Sequence, residues 1–123
     1  MTQPLVVVYY EKLMPGSQLV NKLQDLNYRV QAVNDAAAFL ACAQSEMPLL
    51  AIVDLAIGDA ICSAIAALKS DTATGHIPVV AFAGENAADL MEKGRNAGAK
   101  LVVSEAAIAS HLSELLEQAL HIA

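Results

Sequence analysis

Five short runs of apolar, largely β-branched residues alternate along this chain with longer segments of helical periodicity. The runs lie at residues 5–10, 28–33, 49–53, 77–82 and 100–103. Four of them are nearly continuous in apolar residues, which is typical of strands that a parallel sheet buries on both faces. The second run alternates and contains Arg29 and Gln31, as an edge strand does. Repeated β–α units predict an α/β fold, because right-handed crossovers place helices on both faces of one parallel sheet.

Capping residues between the runs indicate where the first three helices begin. We expect Ser17 to cap a first helix and Asn34 to cap a second, which runs over residues 35–46. A third helix is expected to follow Asp59 and to end near Ser70. The first and third segments carry apolar residues at helical spacing, so each presents one face to the sheet.

The last two helices have signals at their ends as well. Asn86 and Asp89 resemble a capping box, and Gly98 predicts the end of this fourth helix. Gly94 lies inside it and costs about 1 kcal/mol relative to alanine, so we expect the fourth helix to be the mobile one. Ser104 is expected to cap a fifth helix, whose apolar stripe is formed by Ile108, Leu112, Leu115, Leu116 and Leu120.

Length and composition indicate a single domain over residues 1–123. Hydrophobic residues make up 56% of the chain and charged residues 16%, which excludes an intrinsically disordered protein. The net charge of −6 disfavours binding to nucleic acid, because its phosphates would be repelled. The sequence has neither an apolar run long enough for a bilayer nor the basic start of a signal peptide, so we expect a cytoplasmic protein without membrane contact. Cys42 and Cys62 have neither zinc-site nor redox-pair spacing, which predicts small buried side chains.

Ligands of such folds bind outside the carboxyl ends of the strands, near the point where the strand order reverses. The three histidines lack acidic or cysteine neighbours at ligand spacing, which argues against a histidine metal site. Candidate functional residues therefore stand where the predicted strands end, at Tyr9 and Tyr10, Val33 and Asn34, Asp54, Ala83 and Gly84, and Ser104 and Glu105.

Three segments, taken together, resemble one family. Residues 49–55, Leu-Leu-Ala-Ile-Val-Asp-Leu, are similar to a third strand that ends in a phosphoacceptor aspartate. Residues 77–84, Ile-Pro-Val-Val-Ala-Phe-Ala-Gly, are similar to the fourth strand, and Ala-Gly-Ala at 97–99 to the entry of the fifth. In this order the chain resembles the receiver domain of two-component response regulators, the CheY-like fold. We therefore expect one doubly wound, flavodoxin-like sheet of five parallel strands in the order 2-1-3-4-5, with five helices.

The resemblance implies a phosphorylation site, of which this chain keeps one group. Asp54 corresponds to the phosphoacceptor. Tyr9 and Tyr10 stand where the family has the two acidic residues that hold Mg²⁺. Ala83 replaces the hydroxyl residue that contacts the phosphoryl group, and Ser104 replaces the lysine that pairs with it. We therefore interpret the chain as a degenerate receiver, a pseudo-receiver, with no metal ion and no cofactor.

Several of these residues have a second interpretation. Asp54 is either a remnant phosphoacceptor or a strand-end carboxylate bonded to amides of the following loop. Tyr9 and Tyr10 point to opposite sides of their strand, so that one packs under a helix while the other faces the strand end and could reach Asp54. A shift of one residue in register would place Glu11 near Asp54 and restore one carboxylate. Ser104 most simply caps the last helix.

The leading functional hypothesis is a signalling module, not an enzyme, that acts through protein–protein interaction without phosphorylation. In the resembled family the face formed by the fourth helix, fifth strand and fifth helix carries output and often dimerises. Here that face corresponds to Asn86–Ala97, Ala99–Val103 and Glu105–His121, called the output surface below. The resemblance implies that the partner is a histidine kinase, a downstream signalling protein or a second copy of the chain.

The resemblance also indicates a conformation that phosphate does not switch. In the family, phosphorylation draws the hydroxyl residue of the fourth strand inward, and an aromatic residue of the fifth strand follows. Ala83 has no hydroxyl, and the fifth strand offers Leu101, Val102 and Val103. Without differential contacts a phosphoryl group cannot shift a population, which predicts one constitutive conformation.

Two alternative functions would use a site at the carboxyl ends of the strands. A working phosphoacceptor receiver would carry a phosphoryl group on Asp54 in a phosphorelay and would need Mg²⁺. A small-molecule sensor would instead bind in the strand-end crevice, lined by Tyr9, Tyr10, Asp54, Phe82, Ala83 and Ser104.

Overall fold

The structure is a computed structural model that describes residues 5–10, 20–46, 48–55, 59–72, 74–84 and 87–120. Its strands are β1 Leu5–Tyr9, β2 Arg29–Val33, β3 Leu50–Asp54, β4 Val79–Ala83 and β5 Leu101–Ser104. Its helices are α1, described over residues 20–25, and α2 Ala36–Glu46, α3 Asp59–Ser70, α4 Ala88–Ala97, α5 Glu105–Ser110 and α6 Leu112–Leu120. Within these ranges no helix is both long enough and apolar enough to cross a membrane.

All five strands are parallel and form one sheet in the order β2-β1-β3-β4-β5. The predicted α/β class and the predicted strand order are therefore confirmed. Every residue of β3 and β4 is buried, whereas β2 exposes Arg29, Gln31 and Ala32 at the edge of the sheet. The continuous apolar runs thus lie at the centre and the alternating run lies at the edge, as the two patterns require.

Successive side chains of each strand enter two hydrophobic clusters, one on each face of the sheet. The first cluster contains Phe39 of α2 and Ile65 of α3. The second contains Leu23 of α1, Ile108 of α5 and Leu116 of α6 on the opposite face. Each fully buried side chain of this kind contributes roughly 1.5–3 kcal/mol, so the two clusters hold the helices on the sheet.

Both cysteines lie on the first face of the sheet and are free thiols. Cys42 is buried, and Cys62 is half-buried against the same cluster. Burial raises the pKa of the Cys42 thiol, and the nearby Glu46 carboxylate raises it further. A protonated thiol in apolar surroundings is a poor nucleophile, which agrees with the predicted packing role.

Two helices begin differently from the predicted caps. The cap of α2 is Asp35, whose Oδ1 accepts a 2.7 Å hydrogen bond from the N–H of Ala38, and the prediction of Asn34 is wrong. Either side chain can cap a helix, but the helix starts at Ala36 and so the flanking residue is Asp35. The N-cap of α4 is Ala87, which makes no side-chain cap bond. The predicted caps Asn86 and Ser17 lie outside the described residues.

The predicted end of α4 at Gly98 is confirmed. Gly98 has a φ of 121°, a backbone conformation that glycine adopts without strain. Its N–H donates to the carbonyl oxygen of Arg95, and the N–H of Ala99 donates to the carbonyl oxygen of Gly94, both at 3.1 Å. These two bonds form a Schellman motif, which satisfies carbonyl groups in the last turn of the helix.

The last helix, predicted as one, is two. α5 ends at Ser110 and α6 begins at Leu112, with His111 between them at φ −125° and ψ 33°. Serine and histidine have low helix propensity, and Ser110, His111 and Ser113 are concentrated at this point. The apolar stripe nevertheless packs against the sheet, since Ile108, Leu112, Leu115 and Leu116 are all buried.

Side chains hydrogen-bond the connection between α3 and β4 at the far end of the sheet from Asp54. Thr74 is buried, and its Oγ1 donates to the carbonyl oxygen of Leu68 at 2.7 Å. Lys69 Nζ donates to the carbonyl oxygen of Ile77 at 2.6 Å and to that of Gly75 at 3.3 Å. Burial lowers the pKa of Lys69. These bonds satisfy backbone carbonyls in the turn and thereby fix its path.

We predict that Thr74→Val lowers the free energy of unfolding by about 1 kcal/mol, because the isosteric valine removes the bond to Leu68. The exposed Thr72 provides the control, since Thr72→Val should change stability by less than about 0.5 kcal/mol. Chemical denaturation of both variants measures the difference. Equal effects of the two substitutions would contradict a structural role for the Thr74 hydroxyl.

Candidate functional site at the strand ends

Asp54 and Tyr10 stand side by side at the carboxyl ends of β3 and β1. Tyr9 pairs with Val53 and Asp54 pairs with Phe82, so the next residue of β1, Tyr10, lies level with Asp54. Tyr10 is half-buried, and its backbone N–H donates to the carbonyl oxygen of Val33 at 3.2 Å. Tyr10 and Phe82 belong to the face that carries α1, α5 and α6, and strand alternation puts Asp54 on that face too.

Tyr9 faces the other way and belongs to the core. It is 3% exposed, and its ring centroid lies 5.5 Å from that of Phe39 in α2, with the ring planes tilted by 43°. Tilted aromatic pairs at this distance are favourable. Tyr9 is therefore the tyrosine that packs under a helix, and Tyr10 is the one on the face of Asp54. A contact between the Tyr10 hydroxyl and Asp54 stays a prediction.

Ala83 and Ser104 pair with each other one level beyond Asp54, on the opposite face of the sheet. Ala83 is fully buried and belongs to the cluster under α2 and α3. Ser104 is half-buried, and its Oγ accepts a 3.1 Å hydrogen bond from the N–H of Ala107. It is the N-cap of α5, as predicted, and Glu105 in the first turn complements the helix dipole.

Asp54 is the last residue of β3 and is 5% exposed. A buried carboxylate needs hydrogen-bond partners, and in the described part of the chain no buried side-chain nitrogen or oxygen is left without one. The carboxylate is therefore accommodated by the fold as it stands. This agrees with its interpretation as a strand-end carboxylate and also leaves it in the position of a phosphoacceptor.

Among the residues that the structure describes, the donors at the position of Asp54 do not make up a Mg²⁺ site. This ion requires near-octahedral oxygen ligands, and proteins supply them chiefly as carboxylates. Tyr10, the residue level with Asp54, offers a phenol oxygen where a carboxylate would be needed. Over the ranges that the structure describes, no group of three acidic, histidine or cysteine side chains is placed to hold a metal ion. Glu11, the residue that a register shift would bring near, lies outside those ranges.

Most of the lining predicted for a sensor pocket is buried. Tyr9, Phe82 and Ala83 are at most 3% exposed, whereas Tyr10 and Ser104 are half-buried. A groove of about 260 Å³ lies between α1 and the break that separates α5 from α6, lined by Lys22, Asp25, Leu26, Ser110, Leu112 and Ser113. Because α1 leads into the start of β2 there, this groove is at the opposite end of the sheet from Asp54. A small-molecule sensor at the strand-end crevice stays a prediction.

Comparison with known proteins identifies relatives by structure but not by sequence. No protein-family model matches the chain, and no curated protein matches it. The chemotaxis response regulator CheY4 of Vibrio cholerae superposes with a TM-score of 0.83 at 19% identity, over 97% of this chain and 100% of that one. A response regulator from Thermotoga maritima gives 0.78 at 19% identity, over 96% and 98% of the two chains. The chain has the receiver-domain fold.

A third neighbour is a receiver domain with a bound magnesium ion. The receiver domain of a sensor histidine kinase from Pseudomonas aeruginosa superposes with a TM-score of 0.86 at 15% identity, over 96% of this chain and 98% of that one. That structure has a magnesium ion coordinated in its active-site cleft. At such identities the likeness extends to the receiver fold, and the side chains at the strand ends must be judged on their own chemistry.

One contact near the site was not anticipated from the sequence. Leu55 follows Asp54 directly, is 1% exposed, and lies against the backbone of Gly94 in α4. A Cβ atom on Gly94 would be 3.0 Å from both δ carbons of Leu55, which is closer than ordinary packing allows. The available signal was the glycine itself, inside an otherwise helical segment, which we interpreted as a source of mobility alone.

We predict that Ser104→Ala lowers the free energy of unfolding by about 1 kcal/mol, the usual loss when a helix N-cap is removed. The exposed Ser110, at the other end of α5, is the matched control, and Ser110→Ala should be nearly neutral. Thermal or urea unfolding of the two variants provides the measurement. If Ser104→Ala changes the free energy of unfolding as little as Ser110→Ala does, the hydroxyl of Ser104 does not stabilise the start of the helix.

Proposed function

We propose that this chain is a receiver-like signalling module that binds a partner protein through the output surface and does not depend on phosphorylation of Asp54. The observation that carries the proposal is Tyr10, a half-buried phenol level with Asp54 where Mg²⁺ would need a carboxylate. Neither catalysis nor a cofactor is part of this function. The compartment we propose is the cytoplasm, where two-component receivers act.

A phosphoryl group on Asp54 would be an anion, and in the described part of the chain the position of the family's neutralising lysine holds Ser104. In the resembled family a lysine pairs with the phosphoryl group, but Ser104 is neutral and its hydroxyl is bonded to the N–H of Ala107. Ala83 has only a methyl side chain and is buried. Removing one such stabilising group typically lowers a rate 10²–10³-fold, so the combined replacements should suppress phosphoryl transfer severely.

The exposed part of the output surface is suited to a protein partner. All four residues of β5 are half-buried at the edge of the sheet. On α4 the exposed charged residues have both signs, Asp89, Glu92, Lys93 and Arg95, and α6 adds Glu114 and Glu117. Mixed charges around a partly apolar strand are typical of protein interfaces, in which they favour one partner and orientation over others.

The partner that we propose is a histidine kinase, a downstream signalling protein or a second copy of this chain. The net charge of −6 makes a nucleic-acid partner unfavourable, since phosphate binding relies on clustered Lys and Arg. No feature of the proposed function requires a membrane. A second copy is the partner most directly tested, because it needs no other component.

The rival function is a working phosphoacceptor, and one observation favours it. Asp54 ends β3 at the strand edge where, in the receiver fold, the phosphoacceptor stands, and it remains a carboxylate. We predict that incubation with acetyl phosphate and Mg²⁺ adds no phosphoryl group to the wild-type chain. Intact-mass spectrometry measures this, with Asp54→Asn as the matched control. A phosphoryl adduct on the wild type that is lost in Asp54→Asn would establish the rival function.

We predict further that Asp54→Asn changes the free energy of partner binding or self-association by less than about 0.5 kcal/mol, as substitutions outside an interface do. Glu114→Lys and Glu117→Lys, both at exposed positions of α6, should alter the association constant. Glu46→Lys on the exposed end of α2 makes the same charge reversal away from the output surface.

Sedimentation equilibrium of the four variants measures self-association, and titration calorimetry measures binding once a partner is identified. Loss of association in Asp54→Asn with an intact fold, together with no effect of the α6 reversals, would refute the proposal. An equal effect of Glu46→Lys would show that net charge, rather than the output surface, governs association.

A further inference from the structure

Gly94 is the buried residue of α4, and the space that its missing side chain leaves is filled by Leu55. A Cβ atom at this position would lie 3.0 Å from Cδ1 and from Cδ2 of Leu55 and 3.6 Å from Cγ. The end of the leucine side chain therefore points at the helix backbone. Close approach of this kind is possible because glycine has no side chain.

Leu55 has little freedom to move away from the helix. It is 1% exposed and belongs to the same hydrophobic cluster as Ile61 and Ile65 of α3. Protein interiors are close-packed, so an added methyl group displaces neighbours rather than filling empty space. On the helix side, Leu90 and Met91 of α4 are half-buried against this cluster as well.

The contact joins the strand end to the output surface. Leu55 is the residue after Asp54, and α4 is the first segment of the output surface. Ala83 has no hydroxyl and β5 has no aromatic residue, so the two groups that move in the switch of the resembled family are absent from these strands. The contact between Leu55 and Gly94 is then one that sets the position of α4 against the strand end.

We propose that Leu55 seated on the backbone of Gly94 is a steric lock that holds α4 in one position against the end of β3, whatever the charge on Asp54. The consequence for partner binding rests on the function proposed above for the output surface. The lock itself does not, because it concerns only where α4 lies.

The lock predicts that the effect of Gly94→Ala on the melting temperature changes sign when the Leu55 side chain is shortened. Alanine is the better helix former, so Gly94→Ala should stabilise the protein unless its methyl group meets Leu55. We expect Gly94→Ala to lower the melting temperature in the wild-type background and to raise it in the Leu55→Ala background, where the space is open. Leu55→Val provides a milder background in case Leu55→Ala does not fold, and there the penalty of Gly94→Ala should be smaller than in wild type.

Hydrogen exchange reports on the helix directly. Amides of α4 should exchange faster in Gly94→Ala, whereas Asp54→Asn should leave their exchange unchanged. Asn96→Ala is the control, since it raises helix propensity at an exposed position of the same helix. It should slow the exchange of α4 or leave it as it is.

The proposal would be overturned if Gly94→Ala raises the melting temperature equally with and without Leu55, since Leu55 would then yield to the methyl group. Faster α4 exchange in Asp54→Asn would overturn it as well. A third outcome separates the two proposals. If the effect of Gly94→Ala on the melting temperature changes sign without Leu55, while Glu114→Lys and Glu117→Lys leave association unchanged, the lock is supported and the proposed role of the output surface fails. The two proposals are thereby tested separately.

Discussion

Burial of β3 and β4 on both faces is the constraint on which the other features depend. Because every residue of these two strands is buried, each needs an apolar side chain on whichever face it points to. Helices must then cover both faces, and parallel strands joined by helices are the connection that allows this. Asp54 is the exception, a carboxylate that is buried at the last position of β3. The candidate site is therefore marked by the one charged side chain in these two buried strands.

The strand ends use their polar groups for structure. The hydroxyl of Ser104 accepts a hydrogen bond from the N–H of Ala107 in the first turn of α5, and the ring of Tyr9 packs against that of Phe39. Tyr10 covers the position beside Asp54 with a half-buried aromatic ring. A cation site at the same place would need carboxylate ligands around the ion, whose charge offsets the repulsion between them. Among the described residues, the side chains of Tyr9, Tyr10 and Ser104 thus serve packing and capping, which supports the function proposed above.

The features that could be predicted from the sequence are those set by a long pattern. The parallel α/β class follows from the five apolar runs and the helical segments between them. The strand order follows from the resemblance to receiver domains, and the end of α4 follows from Gly98. The capping residues were harder to predict. Asn34 and Asp35 are adjacent and cap a helix equally well, so a difference of one residue in the start of the helix decides which of them is the cap.

Other features depend on tertiary contacts that no local pattern contains. The break at His111 divides an apolar stripe that reads as one continuous helix. Periodicity showed that Tyr9 and Tyr10 face opposite sides, but which of them meets Asp54 depends on the register between β1 and β3. The role of Gly94 could not be predicted for the same reason, because its partner Leu55 is distant in sequence and comes near only when α4 packs against β3.

Restoration of phosphorylation chemistry would work against the stability of this fold at two positions. A lysine at the position of Ser104 would add the missing cation but remove the cap of α5, at about 1 kcal/mol. An aspartate at the position of Tyr10 would place a second carboxylate beside the buried Asp54, and like charges at this range raise a pKa and disfavour the ionised pair. A bound cation would offset that repulsion, so the variant should be more stable in the presence of metal than in its absence. Tyr10 and Ser104 therefore have similar effects on stability. Each is an uncharged side chain at a position where the resembled family has a charged one. Tyr10 packs against a hydrophobic cluster, and Ser104 accepts a backbone hydrogen bond.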